Sequence, residues 1–353
     1  MEAVEFHPLT VRAIDRLTDE AVCVTFDVPD DLRPMYAHVP GQHMILRTSL
    51  DGVDVRRSYS ICSPSGDADL RVGIKLLRGG AFSTWANSKL EPGAVIEATP
   101  PTGEFMHAPS NNGVRSYAAI VAGSGITPVL SIIASTLRDE PEALFTLIYG
   151  NREGRSVMFL DEIDALKGAY PDRFMVMHVL SRESHIVPLF EGRIDAEKLG
   201  QLFSTVVDPE TVDSWFLCGP RGMVEDARQV LEDRGVPSDV VHDELFYAGD
   251  GPPVIAMDDV VGSTVRFTLH GRTSTVVIDP DGAPILDHVL SVRPEGPFSC
   301  RSGACASCRA RVIEGEVRMD RNWSLNGEEV AGGHILTCQS HPVSDVVELT
   351  YDV

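Results

Sequence analysis

Four of the seven cysteines constrain this chain more than any other residues. Cys300, Cys305 and Cys308 follow a C-x4-C-x2-C spacing in FSCRSGACASC, and Cys338 follows in LTCQ with 29 residues between. This is the spacing by which a plant-type [2Fe–2S] cluster is held: three thiolates from one tight loop and a fourth from elsewhere. Gly303 and its small Ala and Ser neighbours allow the loop to wrap closely, with backbone N–H groups turned toward the sulfurs. A structural zinc site usually shows two short Cys pairs, and only one C-x2-C is present here. A small domain must therefore surround the cluster. The chain has 353 residues, a length that favours two or three domains.

Composition narrows the class. There are 30 Lys+Arg against 52 Asp+Glu, a formal net charge of -22, which argues against a nucleic-acid binder because phosphate backbones need clustered positive charge. Hydrophobic residues make up 43% and charged residues 23%, the balance of a globular protein. No apolar run is long enough to span a membrane as a helix. The opening MEAVEFHPLTVRAIDRL carries charges and a proline where a signal peptide needs an apolar core,. A cytoplasmic, reducing setting is expected, in which clustered cysteines mean metal and not disulfides.

Three stretches differ in pattern. Residues 1–112 hold the β-type runs VCVTFDV, HMILRTSL, VDVRRSYSI and LRVGIKLL, separated by Gly, Pro and Asp and interrupted by one helical piece, FSTWANSKL. An antiparallel β-barrel or sandwich is expected. In residues 113–247 apolar strands alternate with helical segments: YAAIVAG, TPVLSIIASTLRDE, ALFTLIYG, FLDEIDALKGAY, FMVMHVLS, SWFLCGP and RGMVEDARQVLEDRG. That alternation predicts βαβ units in an α/β doubly wound parallel sheet. Residues 248–261 read as a linker. Residues 262–353 form a short α+β domain: strands STVRFTL and TSTVVID, a helix APILDHVLSV, the cysteine loop and closing strands.

Nucleotide-binding signals lie in the first two stretches. Arg57-Ser58-Tyr59-Ser60 ends a strand. Lys75 precedes Gly79-Gly80-Ala81-Phe82-Ser83, which opens a helix. A glycine pair at a helix N-terminus exposes N–H groups and the positive dipole end, as a pyrophosphate requires, although a GG turn before a helix is more often only a turn. Gly123-Ser124-Gly125-Ile126-Thr127-Pro128 follows a strand and opens another helix. It is not a GxGxxG, so the ordinary dinucleotide fingerprint is absent. Cys218-Gly219-Pro220 sits after a further strand, where ligands gather in open α/β sheets.

Taken in order, RSYS, GGAFS, AGSGITP, YGNR and CGP resemble the ferredoxin–NADP reductase superfamily, with a ferredoxin domain appended. The longer stretches FHPLTV, RRSYSICS, FSTWAN, CGPRGMVEDAR, HDELF, MDRNWSLNGEEVAGGHILTCQSHPVSD and VELTYDV are similar to the reductase subunits of phenylacetyl-CoA epoxidases. The resemblance covers the whole chain. It implies an FAD-binding β-barrel, an NADP-binding α/β domain and a β-grasp ferredoxin domain. It places Arg57 on the FAD pyrophosphate, Tyr59 along the flavin and Ser60 facing N5. Gly80, Ala81, Phe82 and Ser83 would hold the pyrophosphate, and Lys75 is expected among the cofactor-binding residues. Gly123, Gly125 and Thr127 would hold the phosphates of the nicotinamide nucleotide, with Cys218 and Gly219 near its ring. Glu244 and Phe246 match the acidic–aromatic end of the reductase module. The resemblance makes Ser60, Cys218 and Glu244 the catalytic set and Cys300, Cys305, Cys308 and Cys338 the cluster ligands.

Coenzyme choice has its own handle. A 2′-phosphate needs Arg and hydroxyl partners, whereas a 2′-hydroxyl favours an acid. Arg152, Ser181 and Arg182 fall after successive strands and match the superfamily's NADP-selective positions, so NADPH is expected. Electrons would run from NADPH to FAD to [2Fe–2S] to an outside acceptor, because the sequence shows no oxygen-activating motif of its own. The partner implied is the oxygenase of a multicomponent system, the di-iron epoxidase acting on phenylacetyl-CoA in aerobic phenylacetate catabolism. The alternative is a Rieske oxygenase such as a 3-ketosteroid 9α-hydroxylase. A carrier or redox sensor without enzymatic activity fits less well with two nucleotide sites. The eleven histidines, His43 among them, show no HxH or HExxH pattern and are expected to be structural or exposed,. Cys23 and Cys62, in apolar strands, are expected in the core.

Overall fold

The structure is a computed structural model that describes residues 5–107, 115–246, 262–278 and 282–353. The expected boundary at 112/113 and the expected linker 248–261 lie outside the described residues. The chain divides into two compact units, one of residues 6–55 and 59–246 and one built on the C-terminal residues with 56–58.

The larger unit begins with six strands: β1 (His7–Thr18), β2 (Ala21–Asp27), β3 (His43–Leu50), β4 (Val53–Ser60), β5 (Leu70–Lys75) and β6 (Val95–Ala98). They form one sheet in the order β4-β3-β6-β1-β2-β5. An antiparallel bridge between Ile61, just past β4, and Val72 on β5 joins its two ends. Closure leaves an apolar interior in which Leu9, Val24, Phe26, Met44, Leu46, Val72 and Ile96 are buried. Each such side chain contributes roughly 1.5–3 kcal/mol relative to exposure. Helix α1 (Ala81–Ser88) covers one end through Phe82 and Ala86.

Five parallel strands follow: β7 (Ser116–Ala122), β8 (Leu144–Asn151), β9 (Phe174–Leu180), β10 (Ser214–Gly219) and β11 (Val241–Leu245). Their order is β11-β10-β7-β8-β9, so strand order reverses between β7 and β10. Ligands bind at such a switch point, beyond the carboxyl ends of the strands. The helices are α2 (Ile126–Asp139), α3 (Leu160–Ala169), α4 (Ala196–Thr205) and α5 (Arg221–Asp233). Helix α5 buries one stripe, Met223, Val224, Ala227 and Leu231, as a surface helix should. Helix α2 is buried nearly all round. Its Ile126, Val129, Leu130, Ile132 and Ile133 share one core with Ala21, Cys23 and Cys62 of the barrel and Phe145 and Phe216 of the parallel sheet. That shared core makes the two sheets one unit. Cys23 and Cys62 are buried, as their apolar contexts led us to expect.

In the C-terminal unit, β12 (Ser263–Leu269), β13 (Arg272–Ile278), β14 (Arg309–Glu314), β16 (His334–Leu336) and β18 (Val346–Thr350) form a mixed sheet in the order β13-β12-β18-β14-β16. A two-stranded ribbon pairs β15 (Val317–Met319) with β17 (Ser340–Pro342). Helix α6 (Ile285–Val292) packs Ile285 and Val289 onto the sheet, and α7 (Gly327–Ala331) precedes β16. Among the described residues no helix is long and apolar enough to cross a membrane.

Candidate functional site

At the switch point of the parallel sheet, β7 runs into the turn Gly123–Gly125, a single 3-10 turn that leads directly into α2. No side chain caps either. Thr127 Oγ1 donates to Ser124 O at 2.9 Å, which tightens the turn from inside. A Cβ on Gly125 would lie 2.1 Å from the Cys218 carbonyl oxygen and 3.1 Å from the Gly219 nitrogen. Only glycine lets the turn and the end of β10 approach this closely. On the barrel side, Lys75 Nζ lies 3.0 Å from where a Cβ on Gly123 would be. Burial, and then the nearby Arg152, hold the Lys75 ammonium below its usual range. Uncapped N–H groups with a partly desolvated cation beside them suit a phosphate.

The end of β4 meets the end of β11. Ser60, buried, donates from Oγ to Glu244 Oε2 at 3.2 Å. Parallel register sets Glu244 beside Cys218 on β10. Burial of the Cys218 thiol, and then the Glu244 and Asp243 carboxylates, push it well above the ordinary thiol range, so it stays a neutral thiol. Tyr59 stacks at a tilt on Phe82, 5.3 Å between centroids, and Phe82 meets Trp85 edge-on at 5.4 Å. Gly80 starts α1 with no side-chain cap. Ser83 Oγ bridges inward instead, accepting from Leu77 N at 3.1 Å and donating to Gly80 O at 3.2 Å. Arg57 Nη1 donates to the Arg56 carbonyl at 2.6 Å. Phe246, just past β11, packs against the core that α2 shares with the barrel. Sequence reasoning placed His43 among structural histidines. The structure sets it beside Glu244, with Nδ1 3.6 Å from Oε1. A lone histidine in GQHM carries no spacing signal that could have found it.

The two arginines proposed for coenzyme choice differ in surroundings. The chain past β9 continues alongside that past β8: Ser181 N donates to Asn151 O and Arg182 N to Arg152 O, at 2.9 and 2.8 Å. Ser181 and Arg182 line an open cavity of about 510 Å³ together with Leu180, Glu183 and Glu191. Both acids in it are engaged by backbone, Glu183 with Gly154 N at 2.7 Å and Glu191 with His185 N at 2.6 Å. Arg152 lies outside that lining and is ion-paired with Glu20.

In the C-terminal unit the four thiols pair two by two, Cys300 with Cys305 and Cys308 with Cys338. Backbone N–H groups turn onto the sulfurs, as the loop composition implied. Ser302 N points at Cys300 Sγ at 3.3 Å and Cys300 N at Cys305 Sγ at 3.5 Å. Among the described residues no three His, Cys, Asp or Glu side chains converge on one ion position, whereas a tetrahedral zinc needs four ligands around a single point. Two thiol pairs fit a two-iron cluster, which spreads its ligands over two metals. Leu286, Phe298, Leu325 and Leu336 form the apolar floor under Cys308 and Cys338.

Comparison with known proteins matches this arrangement throughout. Residues 8–107 match the oxidoreductase FAD-binding domain, 119–229 the oxidoreductase NAD-binding domain and 267–343 the 2Fe-2S iron-sulfur cluster binding domain. The chain is 39% identical over 349 residues to one subunit of the 1,2-phenylacetyl-CoA epoxidase of Escherichia coli (strain K12), covering 98% of each. It is 36% identical over 348 residues to the 3-ketosteroid-9-alpha-monooxygenase, ferredoxin reductase component, of Mycobacterium tuberculosis (strain ATCC 25618 / H37Rv), covering 95% of this chain and 93% of that one. Among solved structures, phthalate dioxygenase reductase shares the fold with a TM-score of 0.64 at 22% identity, over 98% of each chain.

Proposed function

The chain belongs to the ferredoxin–NADP reductase-type oxidoreductases that carry a [2Fe–2S] domain, and on that footing we propose that it draws electrons from NADPH and delivers them to a di-iron oxygenase that epoxidises phenylacetyl-CoA. The observation that carries the choice of partner is the 39% identity to the epoxidase component over 98% of both chains. FAD exchanges two-electron for one-electron chemistry, and the cluster handles one electron at a time.

The residues divide the work. Arg57 and the uncapped start of α1, Gly80 to Ser83, hold the FAD pyrophosphate. Tyr59, backed by Phe82, lies along the flavin. Ser60 donates its O–H to Glu244, so its oxygen would be able to accept a hydrogen bond from N5 once the flavin is reduced. Lys75, Gly123, Gly125 and Thr127 hold the phosphates of the nicotinamide nucleotide. Cys218 and Gly219 would lie at its ring, where the neutral Cys218 thiol adds no charge, with Phe246 as the aromatic end of the module. Arg182 and Ser181, with Arg152 released from Glu20, select the 2′-phosphate. Cys300 and Cys305 would hold one iron, and Cys308 and Cys338 the other.

A second reading, supported by the 36% identity to the ketosteroid component, makes the acceptor a Rieske oxygenase. The test supplies purified terminal oxygenases of both kinds, each with its own substrate, and follows NADPH-dependent product formation. Epoxidation of phenylacetyl-CoA without steroid hydroxylation is expected. Steroid turnover alone would replace the first reading with the second.

A further inference from the structure

The main chain of His43 is fixed by a pair of hydrogen bonds: its N–H donates to Thr102 O and its carbonyl accepts from Thr102 N, both at 2.8 Å. The residue is 8% exposed. Its Nδ1 has no hydrogen-bond partner, yet it lies 3.6 Å from Glu244 Oε1, while Oε2 of the same carboxylate accepts from Ser60. The turn beneath the ring is open by construction. Gly103 has φ +121, and a Cβ there would lie 2.8 Å from Nδ1.

The surroundings leave the carboxylate one source of positive charge. Cys218 on β10 stays neutral. Asp243, next to Glu244 on β11, is paired with Arg228. Ser60 on β4 and Gly103 after β6 carry no charge. Among the described residues His43 is the only cation-capable side chain within ion-pair distance of Glu244. A hydride reaching the flavin would bring negative charge to the neighbourhood of an ionised carboxylate, and a nearby imidazolium offsets it.

We propose that His43 is a positioning residue of the hydride-accepting site: protonated, it pairs with Glu244, holds that carboxylate as the acceptor of the Ser60 proton, and offsets the charge that hydride brings. This rests on the assignment of Ser60 and Glu244 to that site. The charge on His43 therefore speeds flavin reduction, and a neutral side chain at this position slows it.

The experiment uses the holoenzyme, with FAD and cluster bound. Stopped-flow reduction of FAD by NADPH is followed from acid to alkaline pH in wild type and H43Q. H43Q is expected to reduce FAD roughly tenfold more slowly than wild type, with a flatter pH profile. Independently of activity, NMR of ring-labelled histidine compares the His43 ring signals in wild type and in E244Q. Loss of the carboxylate is expected to change those ring signals, because the imidazolium loses its partner 3.6 Å away. This second measurement leaves position 43 intact and stands even if H43Q folds poorly. His43 ring signals unchanged in E244Q, or an H43Q profile that overlays wild type, overturns the proposal. If S60A and E244Q both reduce FAD at the wild-type rate, the reading of the hydride site fails and the proposal falls with it. If they are slow while H43Q keeps the wild-type pH profile, the proposal alone fails.

Discussion

Arg182→Ala tests the coenzyme reading most directly. The side chain lines the open cavity of about 510 Å³ past β9. A hydrogen bond between a guanidinium and a phosphate is worth about 1.5–3 kcal/mol. Arg182 is exposed, so solvent screening puts it at the low end, about 1.5 kcal/mol, or roughly tenfold in affinity. The two acids in the cavity add to the loss. Glu183 and Glu191 are held in place by backbone N–H groups, so their charge remains when the guanidinium is gone. An affinity for NADP⁺ lower by roughly 10- to 30-fold is therefore expected, with NAD⁺ affinity changed less than about twofold. Arg152→Ala should cost less, because the Arg152 guanidinium must first leave Glu20. The assay is equilibrium titration of both nucleotides at low and high salt, where the difference between them should shrink as salt rises. An Arg182→Ala protein with an unchanged NADP⁺/NAD⁺ ratio would refute the reasoning. A larger effect at Arg152 would move the 2′-phosphate to the other strand end.

Three further outcomes are expected. Cys338→Ser removes one of four thiolates and should abolish the cluster, measured as acid-labile sulfide, while NADPH still bleaches FAD, because the residues proposed for flavin and nicotinamide binding, Arg57 apart, belong to the larger unit,; flavin reduction lost together with the cluster would contradict this division of labour. Gly125→Ala forces a Cβ to within 2.1 Å of the Cys218 carbonyl, and overpacking of this kind costs about 1–3 kcal/mol. The melting midpoint should drop by several degrees and nucleotide affinity should fall, and a variant that matches wild type in both would show that the turn can yield. Burial is the largest influence on His38, His107, His178 and His242, and it holds all four imidazoles below 6.5. Below that pH the unfolded chain binds more protons than the folded one, so this stability is fully present above about 6.5 and declines as pH falls toward the folded-state values; denaturant unfolding at pH 7.5 and 5.5 should show it, and equal free energies at both would rule it out.

Local chemistry made much of this protein legible before any coordinates. The thiol spacing announces a cluster because ligand geometry is short-range. The strand–GSG–helix run announces a tight turn because only glycine permits the approach to Cys218 that the structure contains. Apolar periodicity located β2 to β5, the strands β7 to β10 and helices α2, α3 and α5. It missed β1 and β6, each with only two buried positions, and α4, whose buried face is three residues, Leu199, Leu202 and Phe203. It also missed β11, VHDEL, an edge strand with three titratable residues in five. These segments become regular through partners distant in sequence, and periodicity records only a segment's own burial.

The chemistry of the site depends on those same distant pairings. Ser60 and Glu244 are 184 residues apart, and the resemblance named both without showing that they touch. Register between β10 and β11 sets Glu244 against Cys218, and β3 brings in His43, a residue that sequence reasoning had set aside. Arg152 and Arg182 look equivalent at successive strand ends, yet Glu20 on the barrel pairs with only the first. Sequence by itself determined the residue types at each strand end and cysteine loop, because bonding preferences belong to the residues. Which of them meet, and which charge is left to act on a ligand, was decided only when the sheets closed and packed.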